Sequence, residues 1–196
     1  ALATHLRQRG VAVEDVPANV FGSAAETESP QGVLAIGEVP GHSFLSLESS
    51  WTGVVLVLDG LQDPGNVGTI LRTAAALGVA ATVALPGTVD LWNAKVVRSG
   101  MGAHYRHLAF RCTWTELDSF LREEGAAVFA ADAGGEAVDR VDVPRRLALV
   151  VGNEGAGLSN EARARAQRIV SIPITSGVES LNVAVAAGLL LYSLKQ

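Results

Sequence analysis

Residues 54–58 read V-V-L-V-L, with Gly53 before them and Asp59 and Gly60 after. A strand with no polar position has no solvent face. It must be covered on both sides, as in parallel sheets flanked by helices. Further strands are predicted at 80–85, 107–110, 126–131, 147–151 and 169–172. Helices are expected between them, at 69–77, 92–99, 113–124 and 160–167. Gly78 closes the first helix, Gly100 and Gly102 end the second, and Thr113 and Glu116 stand at capping-box spacing before the third. Gly134 and Gly135 read as a turn. This alternation specifies an α/β fold, a mostly parallel sheet flanked by helices.

The stretch 171–194 joins two unlike chemistries. Residues 181–192 are apolar or small at nearly every position. A helix apolar all round is a buried helix. Immediately before it stand Glu179, Ser180 and Asn182. Ser180 suits an N-cap, so a capped core helix and a polar site are both open readings.

The front of the chain is less regular. Residues 1–9 suit the end of a helix closed by Gly10, and 11–16 and 33–39 suit strands. Ser23 and Glu26 have capping-box spacing, and Pro30, Gln31 and Gly32 form a turn. Residues 1–40 thus make about half of a small α/β domain, 41–52 a linker, and 53–196 the main domain. The chain opens on Ala1 and its only methionine is Met101, so a longer product is expected.

Composition narrows the classes. At 48% hydrophobic and 18% charged residues, a sizeable core can be buried. Cys112 is the only cysteine, which excludes an intrachain disulfide and suits a reducing, cytoplasmic compartment. The four histidines have no thiol partners nearby, so no metal site is expected. The longest apolar run, 183–192, is too short to span a bilayer. A net charge of −5 argues against coating nucleic acid by bulk charge. A local basic patch remains open: Arg98, Arg106 and Arg111, with His104, Tyr105 and His107 among them, are the densest basic run. Arg7, Arg9, Arg145 and Arg146 add to the candidates, and a solvated face is the plain alternative.

Parallel sheets bind ligands beyond the carboxyl ends of their strands. Three such segments, 58–72, 150–159 and 171–183, are rich in glycine and polar residues. None carries G-x-G-x-x-G or G-K-[ST] in the right place, which argues against a dinucleotide fingerprint or a P-loop. Their order is more specific. Asn66-x-Gly68-x-x-x-Arg72, then Gly152-Asn153-Glu154-x-x-Gly157, then Ile172-Pro173 followed by Glu179-Ser180-Leu181-Asn182-Val183 resemble the three ordered motifs of the SpoU (TrmH) family. These are RNA ribose 2′-O-methyltransferases of the SPOUT superfamily. The resemblance covers about 53–196, and P-Q-G-V-L-A-I at 30–36 is similar to the end of an L30e-like RNA-binding domain found in ribosomal-RNA members.

The resemblance implies a C-terminal deep trefoil knot, a homodimer, S-adenosylmethionine as cofactor and RNA, most simply 23S ribosomal RNA, as substrate. It implies that Gly152, Ile172 and Leu181 hold the cofactor through the main chain. Arg72 would contact RNA phosphate and help remove the 2′-hydroxyl proton, and it should face the same mouth as Gly68. Asn66 would orient Arg72 and the ribose, Glu154 the cofactor loop, and Ser180 and Asn182 the third loop. Each has a plain alternative. Arg72 suits an exposed helix residue, Asn66 a turn, Glu154 a solvated loop, Ser180 and Asn182 helix caps, and Ile172 and Leu181 core packing. Arginine is a poor general base, so an electrostatic role is equally compatible. A tRNA 2′-O-methyltransferase and a non-catalytic RNA-binding protein are the other readings.

Overall fold

The computed structural model describes residues 2–25 and 32–195. The chain forms two compact units, Ala1–Val39 and Pro40–Gln196. The first holds helices α1 (Leu2–Gln8) and α2 (Ala18–Ala24). Gly10 follows α1 at φ +78°, the left-handed conformation that glycine adopts freely. The strands expected at 11–16 and 33–39 are not formed. Neither segment pairs with a neighbour, and Val33 and Ile36 are exposed. Alternation marks a strand only where a second strand takes its amides, and the described residues supply none. Ser23 lies inside α2, where its hydroxyl donates to the Val20 carbonyl, so it caps no helix. Glu26, Pro30 and Gln31 lie outside the described residues.

The second unit is a six-stranded, wholly parallel α/β sheet. In chain order it runs β1 (Gly53–Asp59), α3 (Pro64–Leu77), β2 (Ala81–Ala84), α4 (Ala94–Ser99), β3 (Ala109–Arg111) and α5 (Trp114–Glu124). It continues with β4 (Ala127–Ala137), β5 (Arg146–Gly152), α6 (Asn160–Arg165), β6 (Arg168–Ser171) and α7 (Val183–Ser193). Spatial order is β3-β2-β1-β5-β4-β6. β1 and β5 lie side by side at the centre, in register from Gly53 opposite Arg146 to Asp59 opposite Gly152. The loops that follow these two strands therefore emerge together.

The apolar run of β1 divides by alternation. Leu56 and Leu58 pack with Ile70 and Leu71 of α3 and with Leu190 and Leu191 of α7. Val55 and Val57 face the other layer, with Leu117 and Leu121 of α5 and Ala162 of α6. From the segment 41–52, Phe44, Leu47 and Trp51 pack on this second layer. Phe44 stacks on Phe120 at 4.2 Å, and Trp51 is buried with its indole N–H donating to Glu124. Arg146 ties this corner by an ion pair with Glu124 at 2.7 Å.

Two elements begin elsewhere than expected. α3 starts at Pro64, five residues before the predicted 69. Asp63 is its N-cap, accepting from the Asn66 amide at 2.6 Å, and Pro64 takes the first turn, where a missing N–H costs nothing. α7 is capped by Asn182, whose Oδ1 accepts from the Ala184 and Val185 amides. Ser180 is not the cap. Gly134 and Gly135 are not a free turn but a bulge inside β4, where its register on β6 shifts between Ala131 and Glu136. A Cβ at Gly135 would lie 2.7 Å from the backbone of Ile169 and Val170, so only glycine lets β4 pass this close. α7 is also not buried all round: Val185, Leu189 and Tyr192 are exposed.

Candidate functional site

The loops after β1, β5 and β6 and the bulge of β4 meet at the carboxyl edge of the sheet, around a cleft of about 640 Å³. That volume lies within the range of small-molecule sites. Seven of the eight residues singled out above line it: Asn66, Gly152, Glu154, Ile172, Ser180, Leu181 and Asn182. Arg72 does not. It is exposed on α3, about 9 Å along the helix axis from Asn66 at 1.5 Å per residue. Its side chain makes no hydrogen bond or ion pair among the described residues.

Three side chains tie the loops together. Asn66 donates from Nδ2 to Glu154 Oε1 at 3.3 Å, and its Oδ1 accepts from Asn182 Nδ2 at 2.9 Å. Asn182 in turn caps α7. Glu154 also accepts from the amides of Gln62 and Asp63, both at 3.3 Å. Each amide group uses its N–H on one neighbour and its oxygen on the other, so both orientations are determined by the network. Desolvation pushes the Glu154 carboxyl up. The hydrogen bonds from its own amide, Asn66, Gln62 and Asp63 outweigh this and hold it below its ordinary value. It is therefore a charged acceptor at neutral pH, reaching from the loop after β5 to the amides of the loop after β1.

The loop after β5 is closed by its own backbone. Asn153 and Gly157 exchange two hydrogen bonds at 2.9 Å. The Asn153 side chain accepts from the Gly155 and Ala156 amides and donates to the Gly60 carbonyl at 2.7 Å. Buried Asp59 at the end of β1 accepts from the Ser159 amide at 2.8 Å. A Cβ at Gly152 would sit 2.5 Å from the carbonyl of Gly157 and 2.6 Å from the amide of Leu158. Glycine at 152 is thus demanded by the loop folding back on itself.

Sequence reasoning missed two residues here. Asn153 stands inside a motif already singled out, but its structural role needs the fold-back to be seen. Asp132 also lines the cleft, held by the Gly134 amide and by Arg163. The Gly134 N–H and Arg163 keep its carboxyl below the ordinary value against partial desolvation. An aspartate just past the end of a buried run was the available signal.

The cleft has one electrostatic character. Asp132, Glu154 and Glu179 line it, and no lysine, arginine or histidine does. Val151, Val170, Ile172, Leu181, Val183 and Leu190 give it apolar walls, and Asn66, Asn153, Ser171, Ser180 and Asn182 add neutral polar groups. Such a lining suits a ligand with an apolar or aromatic body and positive charge. It does not suit a phosphodiester. Among the described residues no group of three or more histidine, cysteine or acidic side chains could hold a metal ion, and no helix is long and apolar enough to cross a membrane.

The family model described as the SpoU rRNA Methylase family matches residues 53–192. The chain belongs to this family. The matched span begins at β1 and ends within α7, so it contains every strand of the sheet and every residue of the cleft. Among its SpoU relatives is the 23S rRNA (guanosine(2553)-2′-O)-methyltransferase RlmP of Bacillus subtilis. That protein is 35% identical over 90% of this chain and 70% of its own length. The 23S rRNA (adenosine(1067)-2′-O)-methyltransferase of Streptomyces laurentii is 36% identical over 94% of the chain and 70% of its own. Among solved structures, an AdoMet-bound rRNA methyltransferase from Sinorhizobium meliloti superposes with a TM-score of 0.88. It is 29% identical and is covered over 75% of its length by 98% of this chain. These likenesses run through the first unit as well as the sheet.

Proposed function

We propose that this chain transfers a methyl group from S-adenosylmethionine to a ribose 2′-hydroxyl of RNA, with 23S ribosomal RNA as the substrate. The observation that carries the reading is the cleft itself. Three loops are clamped by the Glu154–Asn66–Asn182 network around an acidic, half-apolar cavity, in a chain of the SpoU family. The cofactor fits the residues on chemical grounds. An adenine ring suits the apolar walls, and a sulfonium and an ammonium suit a lining with three carboxylates and no cation. When bound, S-adenosylmethionine supplies an electrophilic methyl group.

The residues of the chain supply placement and charge. Gly152, Ile172 and Leu181 present main chain to the cofactor, Gly152 from a loop whose fold-back only glycine permits. Asn66 and Asn182 hold the third loop on the first, so that the 2′-oxygen and the transferred methyl are aligned for in-line attack. Glu154 fixes the amide of Asn66. Arg72, free of intramolecular partners among the described residues, meets the RNA phosphate and stabilises the alkoxide that develops at the 2′-oxygen. Loss of the 2′-proton is helped by this charge, since a guanidinium above pKa ~12 is a poor base on its own.

Arg72 is outside its own chain's cleft, and Val185, Leu189 and Tyr192 leave an apolar stripe on α7 uncovered. Both are accounted for by a homodimer in which α7 meets α7 and Arg72 of one copy serves the cleft of the other. The further expectations are a trefoil knot at 152–194, a first unit derived from an L30e-like RNA-binding domain, and a cytoplasmic location. The test is incubation of the chain with S-adenosylmethionine labelled in the methyl group and with 23S rRNA. Label recovered as 2′-O-methylnucleoside supports the reading. Cofactor binding with no label in RNA overturns it.

A further inference from the structure

The cleft has no cation to hold a phosphodiester, so the RNA backbone must be gripped elsewhere on the chain. Residues 91–115 contain Lys95, Arg98, Arg106 and Arg111 and not one aspartate or glutamate, in a chain of net charge −5. The local fold sorts these residues. From α4 the chain continues as a string of turns, with Gly100 N–H on Val96, Met101 on Arg98, Ala103 on Gly100, and Arg106 on Ala103. Val96, Gly100, Ala103 and His104 go to the core side. Lys95, Arg98, Met101, Tyr105 and Arg106 are all exposed, close together along this short string of turns. None of the three cations has an ion-pair partner among the described residues. Elsewhere in this unit Arg146, Arg163, Arg165 and Arg168 are each paired, whereas Arg72, Arg122, Arg140 and Arg145 have no ion pair among the described residues.

Two further features separate this ridge from an ordinary solvated face. Tyr105 is 79% exposed and Met101 72% exposed, large apolar surfaces set among cations. Met101 has φ +49°, and it is the one non-glycine residue with positive φ among those described. A strained backbone that keeps an apolar side chain out in solvent is a feature of binding sites more than of packing. The ridge is also seated beside Arg72. α4 packs on α3 at Gly68, where a Cβ would overlap Ser99 and lie 2.5 Å from the Val96 carbonyl. Ser99 donates to the Pro64 carbonyl across the same junction. Arg72 lies one helical turn beyond Gly68.

We propose that the ridge of Lys95, Arg98, Met101, Tyr105 and Arg106 holds the single-stranded RNA flanking the target nucleotide, its cations on phosphates and Tyr105 stacked on an unpaired base. This rests on the RNA methyltransferase reading above and names the surface that the cleft lacks. Cations alone would serve any polyanion. The exposed aromatic ring among them favours a strand with unstacked bases over a duplex or an acidic peptide.

The test uses the whole chain and three labelled probes: a mixed-sequence 12-nucleotide single-stranded RNA, the corresponding duplex, and a poly-glutamate peptide. Titrations run at several salt concentrations. Wild type is expected to bind the single strand most tightly. Arg98→Gln with Arg106→Gln should weaken it at least 10-fold and reduce the salt slope by about 2, one for each phosphate no longer neutralised. Tyr105→Ala should weaken the single strand about 5-fold or more and leave duplex binding unchanged, in line with the loss of one stacked base. Tyr105→Phe should restore it. Arg122→Gln, an exposed cation on α5, should change nothing. Calorimetric S-adenosylmethionine binding reports on folding in every variant. Wild-type single-strand affinity and salt slope in the Arg98/Arg106 variant overturn the proposal, as does equal or tighter binding of the peptide. A wild type that methylates RNA while the ridge variants keep full kcat/KM removes the ridge and leaves the enzyme reading intact. A cofactor-bound wild type that methylates no RNA removes the enzyme reading itself.

Discussion

Asn182 Nδ2 donates to Asn66 Oδ1 at 2.9 Å, joining residues 116 apart in sequence. Asn182 has two roles that can be separated. Its oxygen caps α7, and its amide N–H holds the first turn of α3. Asn182→Ala loses both and should cost about 1 kcal/mol of stability, the usual worth of a cap. Asn182→Asp keeps the cap oxygen and loses the donor. It should retain wild-type stability by urea unfolding while methyl transfer falls at least 10-fold. Equal activity in Asn182→Asp and wild type would assign Asn182 to capping alone.

Gly152 tests the fold-back of the loop after β5. Gly152→Ala puts a methyl group against backbone atoms of Gly157 and Leu158, neither of which can rotate away. A destabilisation of roughly 1–3 kcal/mol is expected, the range for overpacking. S-adenosylmethionine affinity should fall more than stability does, because the same loop lines the cleft. Calorimetry beside urea unfolding distinguishes the two losses.

Much of the sheet was legible because its strands have no polar face. The run 54–58 and its counterpart 147–151 can sit only in the middle of a covered sheet, and β1 and β5 do. The starts of α3 and α7 were misjudged for a shared reason. Asp63 and Asn182 act through side-chain oxygens on amides two or three residues on, and several polar neighbours could have played that part. The strands expected at 11–16 and 33–39 failed because alternation says nothing about a partner. Seven cleft residues were found from motif order, whereas Asp132 was not, since the bulge that carries it depends on the close approach of Gly135 to β6.

Stability should depend on pH through a group far from the cleft. His107 is buried, its Nε2 2.7 Å from Thr82 Oγ1. Burial, reinforced by nearby His104, pushes its pKa from 6.5 down to about 4. A depressed histidine pKa means that the folded state takes up its proton later than the unfolded state. Its stabilising preference for the neutral form is complete above about 6.5 and is lost as pH falls towards 4, by up to about 3 kcal/mol at 1.36 kcal/mol per unit. Urea unfolding at pH steps between these limits should show the fall. His107→Gln should flatten it.

The α7 stripe has its own test. If Val185, Leu189 and Tyr192 are covered by a second copy, Leu189→Glu places two carboxylates in an apolar interface. Light scattering should give twice 20.3 kDa for wild type and 20.3 kDa for the variant. The variant should bind the cofactor and transfer little methyl, since Arg72 would then have no neighbouring cleft to serve. A wild-type monomer with full activity would contradict the shared site.

The central claim is methyl transfer to a ribose 2′-oxygen assisted by Arg72. The most direct measurement is single-turnover transfer of labelled methyl to full-length 23S rRNA, by wild type and by Arg72→Ala, with the product nucleosides identified. Wild type should yield 2′-O-methylnucleoside. Arg72→Ala should bind S-adenosylmethionine normally, unfold within about 0.5 kcal/mol of wild type, as an exposed helix residue would, and transfer methyl at least 100-fold more slowly. Label on a base, no label in RNA from a cofactor-bound wild type, or wild-type rates in Arg72→Ala would contradict the account.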